Sequence, residues 1–312
     1  MTHGVLHDDF RHEALFYSGW DEFVDGTSSF VREGLEADEA TLVVLSAPKI
    51  EALRSELSSL ADRVHFADMG QVGSNPARII PAWREFVSEN QGRRLRGIGE
   101  PIDTDRSEAA LVECQRHESL LNLAFADTPA FYLMCPYDAE ALRPDVLEEA
   151  RRSHPHLAGG VDELLSSDYR GLEAVAAPYG EPLPAPAAPP DWRVFQRCTL
   201  AAMRYFVSDQ AANAGLNADD VDDLALAVNE VATNSVVHGG GAGIVRIWQE
   251  PEALICEVID KGPILDPLIG RQQPATDQPG GYGVWMANQL CDLVQIRNFG
   301  DRSVVRMHKR RT

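Results

Sequence analysis

The chain has 312 residues, of which 44% are hydrophobic and 24% are charged, and its formal net charge at pH 7 is −20. This composition argues against an intrinsically disordered chain, and the length is typical of two domains of ordinary size. A strongly negative surface repels the phosphates of nucleic acids, which disfavours direct nucleic-acid binding and favours a protein partner.

The sequence predicts a cytoplasmic protein. Residues 1–9 do not combine a basic start with an apolar core, so we expect no signal peptide. No apolar run approaches the roughly 20 residues that a membrane helix needs. The five cysteines are odd in number and lack Cys-x-x-Cys spacing, which favours a reducing compartment over a secreted disulfide framework.

Short β-rich runs alternate with helical patterns in the N-terminal half. The predicted strands are residues 40–46, 64–69, 95–99 and 130–135, and the predicted helices are residues 49–60, 76–90, 107–126 and 144–154. Such alternation favours a mostly parallel sheet covered by helices. The fold class expected for this half is therefore α/β.

A proline-rich segment separates the two halves of the chain. Residues 174–191 contain six prolines among alanines. Because proline lacks a backbone N–H and fixes φ, this segment cannot build a helix or a central strand and is typical of a semi-extended spacer. We therefore predict domains at residues 1–173 and 192–312, joined by a linker at residues 174–191.

The C-terminal half shows a different order of elements, which predicts an α/β sandwich. Helices are predicted at residues 192–214, 218–238 and 282–291, and strands at residues 244–249, 253–260, 293–298 and 303–308. Asn217, with Asp220 three residues later, provides an N-cap for the second helix.

That second helix carries two polar residues in a largely apolar sequence. Glu230 and Asn234 are four residues apart, so both side chains lie on one face of a helix. A carboxylate beside a carboxamide can activate a hydroxyl group or ligate a hard divalent cation. The pair can also be a structural hydrogen-bonded pair, and the glycines that follow in the chain can be simple turns.

Three motifs in this half resemble the ATPase domain shared by histidine kinases, gyrase and the small RsbW-like serine kinases that inhibit sigma factors. Residues 228–239 are similar to its N-box, residues 258–264 to its first glycine box and residues 280–286 to its second. Each motif alone is a weak signal, but three in the right order are fairly specific. The resemblance covers about residues 192–309 and implies a Bergerat-type α/β sandwich with ATP and Mg²⁺ as cofactors.

The resemblance implies a role for both polar residues of the N-box. Glu230 would be the catalytic residue, orienting or deprotonating an attacking hydroxyl group near the γ-phosphate. Asn234 would bind the cofactor through a neutral oxygen that ligates Mg²⁺. Residues 263–279, between the two glycine boxes, would form a lid over the nucleotide.

The glycine boxes would complete the nucleotide site. By the resemblance, Asp260 accepts a hydrogen bond from the adenine amino group, and Gly262 lets the backbone approach the base. Gly281 and Gly283 precede a helix whose free N–H groups can face phosphate oxygens. The first box departs from the common Asp-x-Gly-x-Gly pattern at Ile264, so ATP binding is a firmer expectation than phosphoryl transfer.

The N-terminal half resembles the MEDS sensory domain of methanogens, methylotrophs and dichloromethane-response regulators. The matching segments are residues 12–17, 75–80, 96–101, 113–118 and 135–138. The resemblance implies a RecA-like, mostly parallel sheet with a sensory role. The half contains no Gly-x-x-x-x-Gly-Lys-Ser/Thr segment, so no phosphate-binding loop of that kind is expected.

A metal or redox site is conceivable within this sensory half. Cys114, His117 and Glu118 share a helix face, and His12 and Cys135 could join them in space. Buried cysteines commonly pack as small hydrophobic residues, so packing is the favoured interpretation. For a ligand pocket at strand ends, the candidates are Arg96, Glu100 and His117.

We therefore expect a signal-responsive anti-sigma regulator whose partners are a sigma factor and an anti-anti-sigma protein of the STAS type, with homodimerisation possible. One alternative is a non-catalytic, ATP-dependent binding module. Another is an atypical sensor histidine kinase, in which His117 of residues 116–119 would accept the phosphoryl group. Its place in an α/β domain, rather than in a helical hairpin, argues against that role.

Overall fold

The computed structural model describes residues 9–158, 164–171, 181–274 and 281–311. The chain falls into two compact units, divided between residues 175 and 176. Residues 174–180 of the predicted linker and residues 275–279 of the predicted lid lie outside the described residues, so the linker boundaries stay a prediction. Within the described ranges, no helix is both long enough and apolar enough to cross a membrane.

A seven-stranded sheet forms the first unit. In chain order its elements are β1 (Arg11–Tyr17), α1 (Gly19–Glu36), β2 (Ala40–Leu45), α2 (Ala47–Leu57), β3 (His65–Asp68), α3 (Met69–Val72), α4 (Ile79–Glu89), β4 (Leu95–Gly99), α5 (Glu108–Ala124), β5 (Phe131–Asp138), α6 (Pro144–Ser153), β6 (His156–Ala158) and β7 (Leu164–Leu165). The strand order is β3-β2-β4-β5-β1-β6-β7. Every adjacent pair is parallel except β6 with β7, which confirms the predicted mostly parallel α/β fold.

Strand β1 lies between β5 and β6 near the middle of this sheet, yet the sequence analysis assigned no strand to these residues. It begins with Arg11, His12 and Glu13, all of them buried. Arg11 Nη2 lies 2.6 Å from Glu13 Oε2, and the Tyr132 hydroxyl donates a hydrogen bond to the same oxygen. Because these polar groups satisfy each other inside the unit, a segment with a polar sequence becomes a buried strand.

A five-stranded antiparallel sheet forms the second unit. Its elements are β8 (Asp191–Gln196), α7 (Leu200–Asn213), α8 (Ala218–His238), β9 (Ala242–Gln249), β10 (Ala253–Asp260), α9 (Tyr282–Leu290), β11 (Leu293–Asn298) and β12 (Ser303–Arg310). The strand order is β11-β12-β10-β9-β8. Alternate strand residues, such as Val245, Ile247, Cys256 and Val258, share one core with the three helices. This confirms the predicted α/β sandwich.

The predicted helix at residues 192–214 is wrong in its first part. Residues 191–196 form the edge strand β8 paired with β9, and helix α7 begins only at Leu200. Only Phe195 of the strand is buried, and it packs where a Cβ on Gly243 would lie 2.4 Å from its ring. The Gln196 N–H donates to the Thr199 hydroxyl at 2.9 Å, which stabilises the break before the helix.

A buried carboxylate ties three strands of this sheet together, and removing it should destabilise the second unit. Glu257 in β10 pairs with Arg246 in β9 and Arg306 in β12, and Arg306 Nε donates to Glu257 Oε2 at 2.9 Å. We expect Glu257→Ala to lower the free energy of unfolding by about 3–5 kcal/mol, because the buried Arg306 loses its carboxylate. Chemical denaturation measures this change. Glu252→Ala, at an exposed turn of the same sheet, is the control, and equal effects of the two substitutions would contradict the account.

Candidate functional site

Helix α8 places Glu230 and Asn234 on one face, as the spacing predicts. Both side chains are half-buried. Asn217 begins the helix as its N-cap, since its side chain accepts a hydrogen bond from the Asp220 N–H at 3.0 Å, which confirms the predicted cap. No hydrogen bond joins Glu230 to Asn234 in the part of the chain that the structure describes. The alternative of a hydrogen-bonded pair between these two side chains is therefore not what the structure shows.

The start of helix α9 packs directly on this face. A Cβ on Gly283 would lie 2.3 Å from Asn234 Nδ2 and 3.1 Å from the Glu230 carbonyl oxygen, so only glycine permits the contact. Gly281, the N-cap of α9, has φ +89°, a conformation that favours glycine. The N terminus of α9 thus lies beside Asn234. The unpaired N–H groups of a first helical turn are suited to bind phosphate oxygens.

Asp260 is held at the end of β10 by three donors. Its Oδ1 accepts hydrogen bonds from the Gly262 N–H at 2.7 Å and the Ser303 hydroxyl at 3.1 Å, and its Oδ2 accepts one from the Ser235 hydroxyl at 2.5 Å. Since each carboxylate oxygen can accept more than one bond, Oδ2 can still accept a further donor. The sequence analysis did not identify either serine as part of the site.

Two glycines bring the end of β10 against the end of α8. A Cβ on Gly262 would lie 2.6 Å from the Gly239 Cα, and a Cβ on Gly239 would lie 2.6 Å from the Asp260 Cγ. The close approach joins the N-box to the first glycine box. Ile264, which replaces the second glycine of the common Asp-x-Gly-x-Gly pattern, comes shortly after this contact. Its side chain packs against the core, and its carbonyl accepts a hydrogen bond from Asn298 Nδ2 at 2.8 Å. The first residues after the box are therefore anchored.

Comparison with known proteins identifies both halves of the chain. The family described as "Histidine kinase-like ATPase domain" matches residues 196–309. The family described as "MEDS: MEthanogen/methylotroph, DcmR Sensory domain" matches residues 11–155. The chain carries a MEDS domain followed by a histidine kinase-like ATPase domain.

Two individual proteins are similar to part of this chain. The serine-protein kinase RsbW of Halalkalibacterium halodurans is 29% identical over 112 residues, which are 31% of this chain and 68% of that protein. The crystal structure of the RsbU and RsbW domains of a Mycobacterium tuberculosis protein aligns with 18% identity and a TM-score of 0.30. That alignment covers 39% of this chain and 32% of the solved chain, so this chain spans about a third of the length of that relative.

In the MEDS domain, the residues predicted to line one ligand pocket lie apart. Arg96 lies near the start of β4, where its Nε donates to Glu39. Glu100 follows the other end of β4 and accepts hydrogen bonds from the Tyr17 hydroxyl at 2.9 Å and from Lys49 Nζ. Burial raises the pKa of Glu100 despite the neighbouring Lys49 ammonium. Because a strand rises about 3.3 Å per residue, Arg96 and Glu100 lie at opposite ends of β4.

The cluster that was considered as a possible metal or redox site in the MEDS domain is only partly assembled. Cys114 donates to the Pro101 carbonyl at 3.3 Å, and burial raises the pKa of its thiol to about 12. His117 is buried in α5 with 1% of its surface exposed. His12, Glu118 and Cys135 do come together, and they are joined by His154, which the sequence analysis did not name. Burial and the adjacent His154 ring lower the pKa of His12 to about 4.

Proposed function

We propose that the ATPase domain binds ATP with Mg²⁺ and transfers the γ-phosphoryl group to a serine or threonine of a protein partner. The observation that supports this most strongly is the packing of Gly283 on Asn234 and the Glu230 backbone. It brings the second glycine box onto the N-box. On the other side, Asp260 is held in place by Ser235 and Gly262.

Each residue has a chemical role in this proposal. The Glu230 carboxylate takes the proton of the attacking hydroxyl group, or orients that group toward the γ-phosphate. The Asn234 side-chain oxygen is a hard neutral donor of the kind that Mg²⁺ accepts, and the ion would neutralise charge on the phosphates. Asp260 Oδ2 accepts a hydrogen bond from the adenine amino group, and Gly262 lets the base approach the backbone.

The partners in this proposal are a sigma factor, which the protein sequesters, and an anti-anti-sigma protein of the STAS type, which it phosphorylates. The 29% identity to the serine-protein kinase RsbW supports this class of activity. The MEDS domain would supply the response to a signal. A homodimer and a cytoplasmic location belong to the same proposal.

The two alternatives make different demands on the molecule. A sensor histidine kinase needs an accessible phosphoacceptor, yet His117 is buried within the α/β fold of the MEDS domain. A non-catalytic module needs only nucleotide binding, and the anchored Ile264 segment is compatible with it. A non-catalytic module therefore differs from a kinase in phosphoryl transfer and not in ATP binding.

The proposal is tested by incubating the full chain with labelled ATP, Mg²⁺ and extracts or purified STAS-type proteins. We expect an acid-stable phosphate on the partner, because phosphoserine and phosphothreonine survive acid. Nucleotide binding without any labelled partner would support the non-catalytic module. An acid-labile label on the chain itself, lost in His117→Gln, would support the histidine kinase.

A further inference from the structure

Four potential metal ligands from distant parts of the sequence converge inside the MEDS domain. They are His12 in β1, Glu118 in α5, Cys135 in β5 and His154, which directly follows α6. One ligand atom from each lies within 4.8 Å of the others. No more than 1% of any of these residues is exposed to solvent.

Hydrogen bonds on the far side of each imidazole fix its tautomer. His154 Nδ1 lies 2.8 Å from the Ala150 carbonyl oxygen, which can only accept, so Nδ1 carries the proton. Asn122 Nδ2 donates to the Ser153 carbonyl at 2.8 Å, which turns Asn122 Oδ1 toward His12 Nδ1 at 3.1 Å. His12 Nδ1 is therefore also a donor. In the neutral form of each ring, the Nε2 lone pair points into the cluster.

These lone pairs face the buried Glu118 carboxylate. His12 Nε2 and His154 Nε2 each lie 3.2 Å from Glu118 Oε2. Neither Glu118 oxygen, nor His154 Nε2, has a hydrogen-bond partner among the described residues. Buried acceptors that face each other carry a large free-energy cost, which a cation between them removes.

We propose that His12, Glu118, Cys135 and His154 form a closed tetrahedral site for a divalent transition metal, with Zn²⁺ as its ion. Zinc bonds of about 2.0–2.3 Å place tetrahedral ligands roughly 3.3–3.8 Å apart. The two Nε2–Glu118 distances of 3.2 Å and the His12 Nε2–Cys135 Sγ distance of 3.3 Å are close to this range. Two imidazoles, a thiolate and a carboxylate suit zinc, whereas Mg²⁺ and Ca²⁺ avoid sulfur.

The surroundings are those of a structural metal site. Asn122 and the Ala150 carbonyl orient the two imidazoles, as outer contacts do in known zinc sites. Four protein ligands leave no open position for a substrate. The ion would connect β1, α5, β5 and the end of α6, so it would hold the centre of the sheet to the helices that cover it. The MEDS domain would then depend on metal for its stability.

The test uses the purified full chain and two probes, its native metal content and Co²⁺ substitution. We expect about one equivalent of zinc per chain by mass spectrometry. The cobalt form should show the intense visible bands of a tetrahedral ion and a thiolate-to-cobalt charge-transfer band. Addition of Zn²⁺ should abolish both, and removal of the metal with a chelator should lower the melting temperature of the chain.

Two cysteine substitutions provide a matched pair. The first, Cys135→Ala, should lose the charge-transfer band. A separate variant, His154→Gln, should weaken cobalt binding by more than about tenfold. Cys114→Ala, at an equally buried cysteine four residues from Glu118, should keep both the band and the affinity. A folded wild-type chain that binds neither metal would overturn the proposal, as would a cobalt spectrum without a thiolate band. The wild-type spectrum decides the matter even where Cys135→Ala does not fold.

Discussion

Asp260→Ala should weaken ATP binding by the full chain by roughly 100-fold while leaving the ATPase domain folded. The carboxylate would lose its hydrogen bond to the adenine, and the Ser235 and Ser303 hydroxyl groups would lose the acceptor that orders this end of the site. A charge-assisted hydrogen bond together with this disordering corresponds to about 3 kcal/mol, or roughly a 100-fold increase in Kd. Isothermal titration calorimetry measures the affinity, and circular dichroism checks the fold.

The matched control for this substitution is Asp301→Ala. Asp301 is an exposed acidic residue in the turn before β12, two residues from Ser303. The Asp301→Ala substitution removes the same charge from the domain without changing the site, so the ATP affinity of this variant should equal that of the wild type. If Asp260→Ala kept wild-type affinity, the adenine would not be bound at this carboxylate.

Glu230→Gln should separate catalysis from binding. The substitution keeps the size of the side chain but removes its ability to take a proton, so we expect phosphoryl transfer to fall by roughly 10²- to 10⁴-fold. ATP affinity should change by less than about threefold, because in the proposal Asn234, Asp260 and the glycine boxes bind the nucleotide. Single-turnover transfer to the partner protein and calorimetry with ATP give the two values.

Asp222→Asn is the control for this prediction, since it makes the same acid-to-amide change at an exposed position of the same helix. Its transfer rate should match that of the wild type. Unchanged transfer in Glu230→Gln would remove Glu230 from the catalytic role. A wild-type chain that binds ATP but transfers nothing would instead identify the domain as a binding module.

The fold was predictable where one local pattern decided the structure. Alternating strands and helices predicted the parallel sheet, and the spacing of Glu230 and Asn234 predicted their common helix face. Strand β8 was misassigned because only Phe195 is buried, so the segment has no strand periodicity. Strand β1 escaped notice because it begins with Arg11, His12 and Glu13, whose polar groups are satisfied partly by another strand, as where the Tyr132 hydroxyl donates to Glu13.

The parts of the sites that escaped prediction depend on tertiary contacts. Ser303 reaches Asp260 because β12 pairs with β10 in a register that places the two residues opposite each other. His154 joins His12 and Glu118 only because α6 ends beside the central strands. No spacing in the sequence predicts this contact. Arg96 and Glu100 were both candidates for a pocket at strand ends, but they lie at opposite ends of β4, because a strand rises about 3.3 Å per residue.

The central claim is that the C-terminal domain binds ATP through the residues that the structure brings together, and titration of the wild-type full chain with ATP tests it most directly. Calorimetry should show about one ATP bound per chain, with higher affinity in the presence of Mg²⁺ than in its absence. A folded chain that releases no heat with millimolar ATP and Mg²⁺ would contradict the account.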